Sequence, residues 1–392
     1  MSHPFDKLTL EQLRHRPCMK WQRYPDEVLP LWVADMDFPT AEVIADALSQ
    51  RAHSGNLGYP MGYMGSGETG LADAIIERQA TRHNWHIQEQ DLWPINGIIP
   101  GLYLASLACA GQSEGVIVQT PAYPPFLSAV QDTGRSLQVN PLRWNGSEWG
   151  IDFEGLEALL KPSTRLLMFC NPHNPTGRVF RREELERLAE FVLRHKLWVV
   201  SDELHSDLIY AGQQHIPFAS LSDEIAQRTI TLFGPTKTFN IAGLKVGFAV
   251  CQNPDLLERL KALAKGFVGP PNVMAQTATI AAYRHGDAWL QDTLAYLDAN
   301  RQHIAAFFAQ RLPQVKHVSP EGTYLAWFDF NALQLGERLA EVLLEECKVG
   351  LNDGRSYGSG GEGFARLNFA TSRSVVDEAL ARIEQGLRPY LD

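Results

Sequence analysis

Between about residues 91 and 250, short apolar runs alternate with stretches in which apolar positions recur every three to four residues. The runs are Leu92-Trp93-Pro94-Ile95, Val116-Ile117-Val118, Leu166-Leu167-Met168-Phe169, Leu197-Trp198-Val199-Val200, Ile230-Thr231-Leu232-Phe233 and Gly247-Phe248-Ala249-Val250. Each has the length of a strand and is rich in β-branched or aromatic side chains. Between two of them, residues 183–195 place Leu185, Leu188, Ala189 and Val192 on one side at helical spacing. This spacing predicts a crossover helix, and the alternation as a whole predicts an α/β domain with a parallel sheet wrapped by helices.

Past Pro271 the texture changes. A long helical stretch runs to Leu312, followed by Tyr324-Leu325-Ala326-Trp327-Phe328, a helix near residues 335–347, and Phe364-Ala365-Arg366-Leu367-Asn368-Phe369. This predicts a separate, smaller α+β domain. The first forty or so residues, with tryptophans and prolines but no clear period, read as an arm packing over other parts. The expected division is an arm at 1–45, a large domain at 46–283 and a small domain at 284–392.

Composition and charge narrow the function. A chain of 392 residues, 45 % hydrophobic with 31 Gly and 23 Pro, has ample core for two domains. A net charge of −10 with no basic stripe argues against a nucleic-acid partner. The start, Met1-Ser2-His3-Pro4-Phe5-Asp6-Lys7, has neither the charge nor the apolar run of a signal peptide. No apolar stretch approaches the ~20 residues of a membrane helix, so no membrane partner is expected and the expected location is the cytoplasm. The five cysteines are scattered, which suggests no disulfide framework. His83 and His86 could share a helix face, but no acidic or thiol ligand stands at compatible spacing, and no metal is expected.

The strongest chemical signal is Gly234-Pro235-Thr236-Lys237-Thr238-Phe239-Asn240, directly after an expected strand. A lysine at the carboxyl end of a strand can point into the crevice where α/β folds bind ligands, although a lone match of this kind is most often a surface lysine. Two further strand ends carry Asn171-Pro172-His173-Asn174-Pro175-Thr176-Gly177 and Ser201-Asp202-Glu203-Leu204-His205. Alone, the first is a turn and the second a helix cap. Three such ends converging on one crevice argue against chance.

In order and spacing these motifs resemble the aspartate-aminotransferase-like (fold type I) pyridoxal 5'-phosphate (PLP) enzymes, and the resemblance spans nearly the whole chain. It implies a large domain with a mostly parallel seven-stranded sheet flanked by helices, a smaller α+β domain, and a homodimer with shared active sites. It also implies a role for each matching residue. Lys237 would hold the cofactor in a Schiff base and later move the Cα proton. Asp202 would face the pyridine nitrogen. Asn174 would bond the ring's 3'-oxygen, and Tyr123 would stack on the ring. The phosphate would meet the backbone N–H groups of Ile98 and Ile99 after Gly97, with Lys245 where relatives often carry arginine. Tyr59 would reach the partner's phosphate. Arg366 would grip the substrate carboxylate, with Ala34, Asn174 and Tyr123 also against the substrate. Two departures stand out: His205 occupies a position where many aminotransferases have tyrosine, and Pro235-Thr236 replaces serines. Both His205 and Thr236 are counted among the cofactor contacts.

Leu31-Trp32-Val33-Ala34-Asp35-Met36-Asp37-Phe38-Pro39, Pro320-Glu321-Gly322-Thr323-Tyr324 and Gly363-Phe364-Ala365-Arg366-Leu367-Asn368 resemble the MalY/PatB group of C–S β-lyases, the cystathionine β-lyases. That resemblance implies β-elimination from a cysteine-derived amino acid. Cystathionine would yield homocysteine, pyruvate and ammonia. An aminotransferase would use the same residues and differ in where the next proton goes. A PLP-binding regulatory protein would need a partner surface, which the sequence does not reveal.

Overall fold

The computed structural model describes residues 3–60 and 67–391. Met1 and Ser2 at the head of the expected arm, residues 61–66, and Asp392 lie outside the described residues. The central sheet has seven strands: β1 (Leu92–Ile95), β2 (Gly115–Thr120), β3 (Ser136–Pro141), β4 (Thr164–Cys170), β5 (Trp198–Asp202), β6 (Thr229–Phe233) and β7 (Gly247–Val250). Their spatial order is β1-β7-β6-β5-β4-β2-β3. Strand β7 runs antiparallel to both of its neighbours, and every other pairing is parallel. The carboxyl ends of β1, β2, β4, β5 and β6 therefore share one edge.

Alternation along β4 shows how the sheet is sandwiched, since successive side chains point to opposite faces. Leu166 and Met168 join a core with Val118, Ile230 and Leu232, under helices α1 (Ile98–Cys109) and Pro254–Ala264. Leu167 and Phe169 join the opposite core. There the helix Arg182–Arg194 buries Leu185, Leu188, Ala189 and Val192, the four positions expected from the spacing. Full burial of side chains the size of the two leucines and the valine stabilises the fold by roughly 1.5–3 kcal/mol each.

The expected long helix after Pro271 is two helices, Val273–His285 and Asp287–Arg311. They meet at Gly286, where a Cβ would lie 2.5 Å from the Phe239 ring and 2.6 Å from the Ala282 carbonyl oxygen. A helix near residues 335–347 is present only as short 3-10, α and π turns between Gly336 and Glu346. Lys316–His317, Leu325–Asp329, Phe364–Asn368 and Asn352–Asp353 form a four-stranded antiparallel sheet in that order. The N-terminal segment ties into the same region through Leu29–Pro30, which pairs in parallel with Val349–Gly350.

Candidate active site

The loops at the shared strand edge meet the N-terminal segment and the four-stranded sheet around a cavity of about 580 Å³. Lys237, Asp202, Asn174, Tyr123, His205, Gly97, Ile98, Ile99, Thr236, Lys245, Arg366 and Ala34 all line it. Tyr59 does not; it stands 84 % exposed on its own chain. His83 and His86 are elsewhere and diverge, His83 lying 3.6 Å from Asp207 while His86 is exposed.

Lys237 follows β6 by four residues, and its Nζ donates to the Ala34 carbonyl at 2.6 Å. Burial lowers its pKa to about 8; Asp35 and Asp202 oppose that shift and Arg366 reinforces it. The amine thus loses its proton close to neutrality, as a nucleophile toward an aldehyde must.

Asp202 is the last residue of β5 and accepts from the Leu204 backbone N–H at 3.0 Å. Burial pushes its carboxyl up to about 7, despite that bond and the Lys237 charge, and the neighbouring Glu203 adds to the rise. A cation set against such a carboxylate would offset its lost hydration. His205 is held neutral, pulled down to about 3 by burial and by the charges of Lys237 and Arg366. Its Nδ1 is buried with no hydrogen-bond partner, and its ring meets Tyr324 edge-on with centroids 6.0 Å apart.

Arg366 comes from the strand Phe364–Asn368 and joins three parts of the chain. One terminal nitrogen donates to Asn174 Oδ1 at 2.9 Å, and the other donates to the Trp32 carbonyl at 2.8 Å and to Asn352 Oδ1 at 2.7 Å. The guanidinium carbon lies 5.4 Å from the centre of the Tyr357 ring, and Nε is buried without a partner. A planar fork fixed in this way presents a ready donor for a carboxylate.

At the other end of the cavity, α1 opens at Gly97, whose φ of +136° few side chains tolerate. No side chain caps this 12-residue helix, so its first N–H groups remain open to an anion. Thr236 and Lys245 line the cavity with Ile98 and Ile99.

The N-terminal segment borders the cavity at Trp32, Val33 and Ala34 and is held there through its backbone. Asn368 Nδ2 donates to the carbonyls of Val33 and Asp35, both at 2.7 Å, and Asn240 bonds Met36 and Phe38. Asp37 is buried in a pair with Lys20 at 2.8 Å and accepts from Trp21 Nε1 at 2.7 Å. Asn352, Tyr357, Met19 and Cys170 also line the cavity and were not anticipated. The nearest signal for Asn352 and Tyr357 is the glycine-rich stretch of residues 354–363.

These groups fit PLP. A buried carboxylate awaits a cationic ring nitrogen, a lysine of lowered proton affinity awaits an aldehyde, an uncapped helix start awaits a phosphate, and the His205 nitrogen lacks a partner.

Known proteins resemble this chain over nearly its whole length. Cystathionine beta-lyase PatB of Bacillus subtilis (strain 168) is 39 % identical over 379 residues, covering 94 % of this chain and 96 % of PatB. The structure of cystalysin from Treponema denticola, which contains a pyridoxal 5'-phosphate cofactor, superposes with a TM-score of 0.92 at 32 % identity, covering 99 % of this chain and 100 % of that one. The PLP-bound C-S lyase from Staphylococcus hominis superposes with a TM-score of 0.90 at 31 % identity, covering 99 % of both chains. The model of the family "aminotransferase class I and II" matches residues 26–383, which takes in both sheets and every residue of the cavity except Met19. This chain belongs to the class I and II aminotransferase family.

Proposed function

We propose that the protein is a PLP-dependent C–S β-lyase that cleaves cystathionine or a related cysteine conjugate to a thiol, pyruvate and ammonia. One observation carries the reading: Lys237, Asp202 and Arg366 face one cavity, in a chain 39 % identical to a cystathionine beta-lyase.

When bound, PLP supplies an electron sink for the pair left at a substrate's Cα. Lys237 would hold its aldehyde, Asp202 its ring nitrogen, Tyr123 a ring face, and Ile98, Ile99, Thr236 and Lys245 its phosphate. Arg366, which lines the cavity, would bind the substrate α-carboxylate and hold Cα within reach of Lys237. Lys237 would take the Cα proton, since its lowered pKa leaves it a competent base near neutral pH. With that proton removed, a thiolate would leave Cβ, and the aminoacrylate formed would hydrolyse to pyruvate and ammonia.

The family match keeps an aminotransferase as the second reading, because the same residues serve both reactions. We further propose a homodimer in which the exposed Tyr59 serves the neighbouring site. Among the described residues no helix is long and apolar enough to cross a membrane, and all five cysteines are free thiols, which supports a reducing, cytoplasmic setting.

The test supplies L-cystathionine without any oxo acid and follows pyruvate and free thiol, with Lys237→Ala as control. Equal amounts of both products over many turnovers establish the lyase. A single turnover that resumes only when an oxo acid is added establishes the aminotransferase.

A further inference from the structure

Among the described residues, the charged groups on the cavity wall are Asp202, Lys237, Lys245 and Arg366. The reading above commits the first three to the cofactor and Arg366 to the substrate α-carboxylate. His205 adds no charge, because burial pulls its pKa down to about 3. The segment carrying Tyr59, proposed above to serve the neighbouring site, brings none either: residues 54–67 contain no acidic, basic or histidine side chain. The far end of a substrate therefore meets a wall whose charges are already taken.

The two anchors set where that far end lies. The Trp32 carbonyl accepts from Arg366 at 2.8 Å and the Ala34 carbonyl from Lys237 at 2.6 Å, so a substrate held by Arg366 with Cα at Lys237 lies against residues 32–34. The wall around them is made by Met19, Trp32, Val33 and Tyr357. Trp32 Nε1 donates to the Lys20 carbonyl at 3.3 Å, which sets the turn bearing Met19 beside the indole. Met19 is 66 % exposed and presents apolar surface at the mouth. Of the charged neighbours, Lys20 is paired with Asp37 at 2.8 Å, and Arg23 has its guanidinium carbon 5.2 Å from the centre of the Trp32 ring. Neither they nor Asp35 line the cavity.

We propose that this corner takes an uncharged, apolar sulfur substituent, so that S-alkyl and S-arylalkyl cysteines are cleaved in preference to cystathionine. The proposal rests on the lyase reading above and narrows its substrate class. Cystathionine carries an ammonium and a carboxylate at its far end, and bringing either against this wall strips water from a charge that meets no opposite charge. A propyl or benzyl group in the same place leaves water for contact with Met19, Trp32 and Val33, which is favourable.

The experiment uses the PLP-loaded protein and measures kcat/KM from pyruvate release for L-cystathionine and for S-propyl-L-cysteine, which lacks only the distal ammonium and carboxylate. With one water consumed, S-propyl-L-cysteine gives propane-1-thiol, pyruvate and ammonia. The ammonium group makes homocysteine the more acidic thiol and the better leaving group, so the chemical step alone favours cystathionine. S-propyl-L-cysteine should nonetheless exceed it by about tenfold or more in kcat/KM, with the difference mainly in KM. Met19→Lys places a cation at the exposed mouth and should lower that ratio by about fivefold, the scale of an exposed ion pair. Arg23→Gln should leave the ratio unchanged.

Cystathionine matching or exceeding S-propyl-L-cysteine in the wild type overturns the proposal, as does a ratio that Met19→Lys leaves unmoved. An Arg23→Gln variant that loses cystathionine turnover alone would assign the distal carboxylate to Arg23 and overturn it as well. No pyruvate from either conjugate would instead refute the lyase reading, a result distinct from pyruvate released with the opposite preference.

Discussion

The Ala34 carbonyl accepts from Lys237 Nζ at 2.6 Å and also from the Tyr324 hydroxyl at 3.0 Å. The N-terminal segment thereby meets the Lys237 amine directly, so a disturbance of that segment reaches the amine.

Lys237→Met should abolish turnover and stabilise the cofactor-free protein at pH 7. Burial makes the folded pKa, about 8, lower than that of a free lysine. The charged amine therefore costs stability below pH 8, and the cost fades as pH rises toward the ordinary lysine range. Urea denaturation should show a gain on the order of 1 kcal/mol at pH 7 that shrinks steadily above pH 8. A gain that does not vary with pH would contradict this.

Asp202→Asn should leave cofactor binding measurable but reduce kcat/KM by roughly 10²–10³-fold, the usual loss when a preorganised charge is removed. In the cofactor-free protein the sign on stability reverses. Because the folded carboxyl titrates near 7, above its unfolded value, its ionisation destabilises the fold above that pH. The variant should be the more stable form above pH 7, with the advantage lost as pH falls toward the ordinary carboxylate range.

Arg366→Lys should act mainly on KM. A lysine retains the charge but cannot span Asn174, Trp32 and Asn352 together while offering a further donor to substrate. Steady-state kinetics should give a KM raised by about tenfold or more, equivalent to about 1.4 kcal/mol, with a smaller change in kcat.

Asp37→Asn leaves the Lys20 ammonium buried without its partner; the two side chains are 2 % and 1 % exposed. Breaking a buried pair from one side typically costs about 3–5 kcal/mol. The urea midpoint should fall accordingly, and Lys20→Met in the same protein should recover much of the loss. Because the pair anchors the loop that carries Ala34, catalytic activity should fall at urea concentrations too low to unfold the protein.

Much of this was legible in the chain because strand ends and their following turns are local. The runs ending at Phe169, Val200 and Phe233 each lead into a motif, and parallel pairing brings those motifs to one edge. Strand Ser136–Pro141 went unseen because polar residues occupy its core positions. Gln138 is buried against Thr164 and Leu159, and Asn140 against Gln119 and Asp152, bonds that no periodicity announces. Asn352 and Tyr357 escaped notice for a different reason. They meet Arg366 only once the four-stranded sheet sets Asn352 opposite it, a contact made across sequence. The break at Gly286 was hidden because either side of it has sound helical character.

Arg366, Asn368, Lys237 and Tyr324 grip the arm at the carbonyl oxygens of residues 32–35, atoms that every amino acid possesses. The clasp is therefore indifferent to which side chains those residues bear. Mutation could reshape the rim around Trp32 and Val33 to admit a bulkier or smaller conjugate while the anchoring of the lysine stays the same, so substrate range could drift across generations without a redesign of the catalytic centre.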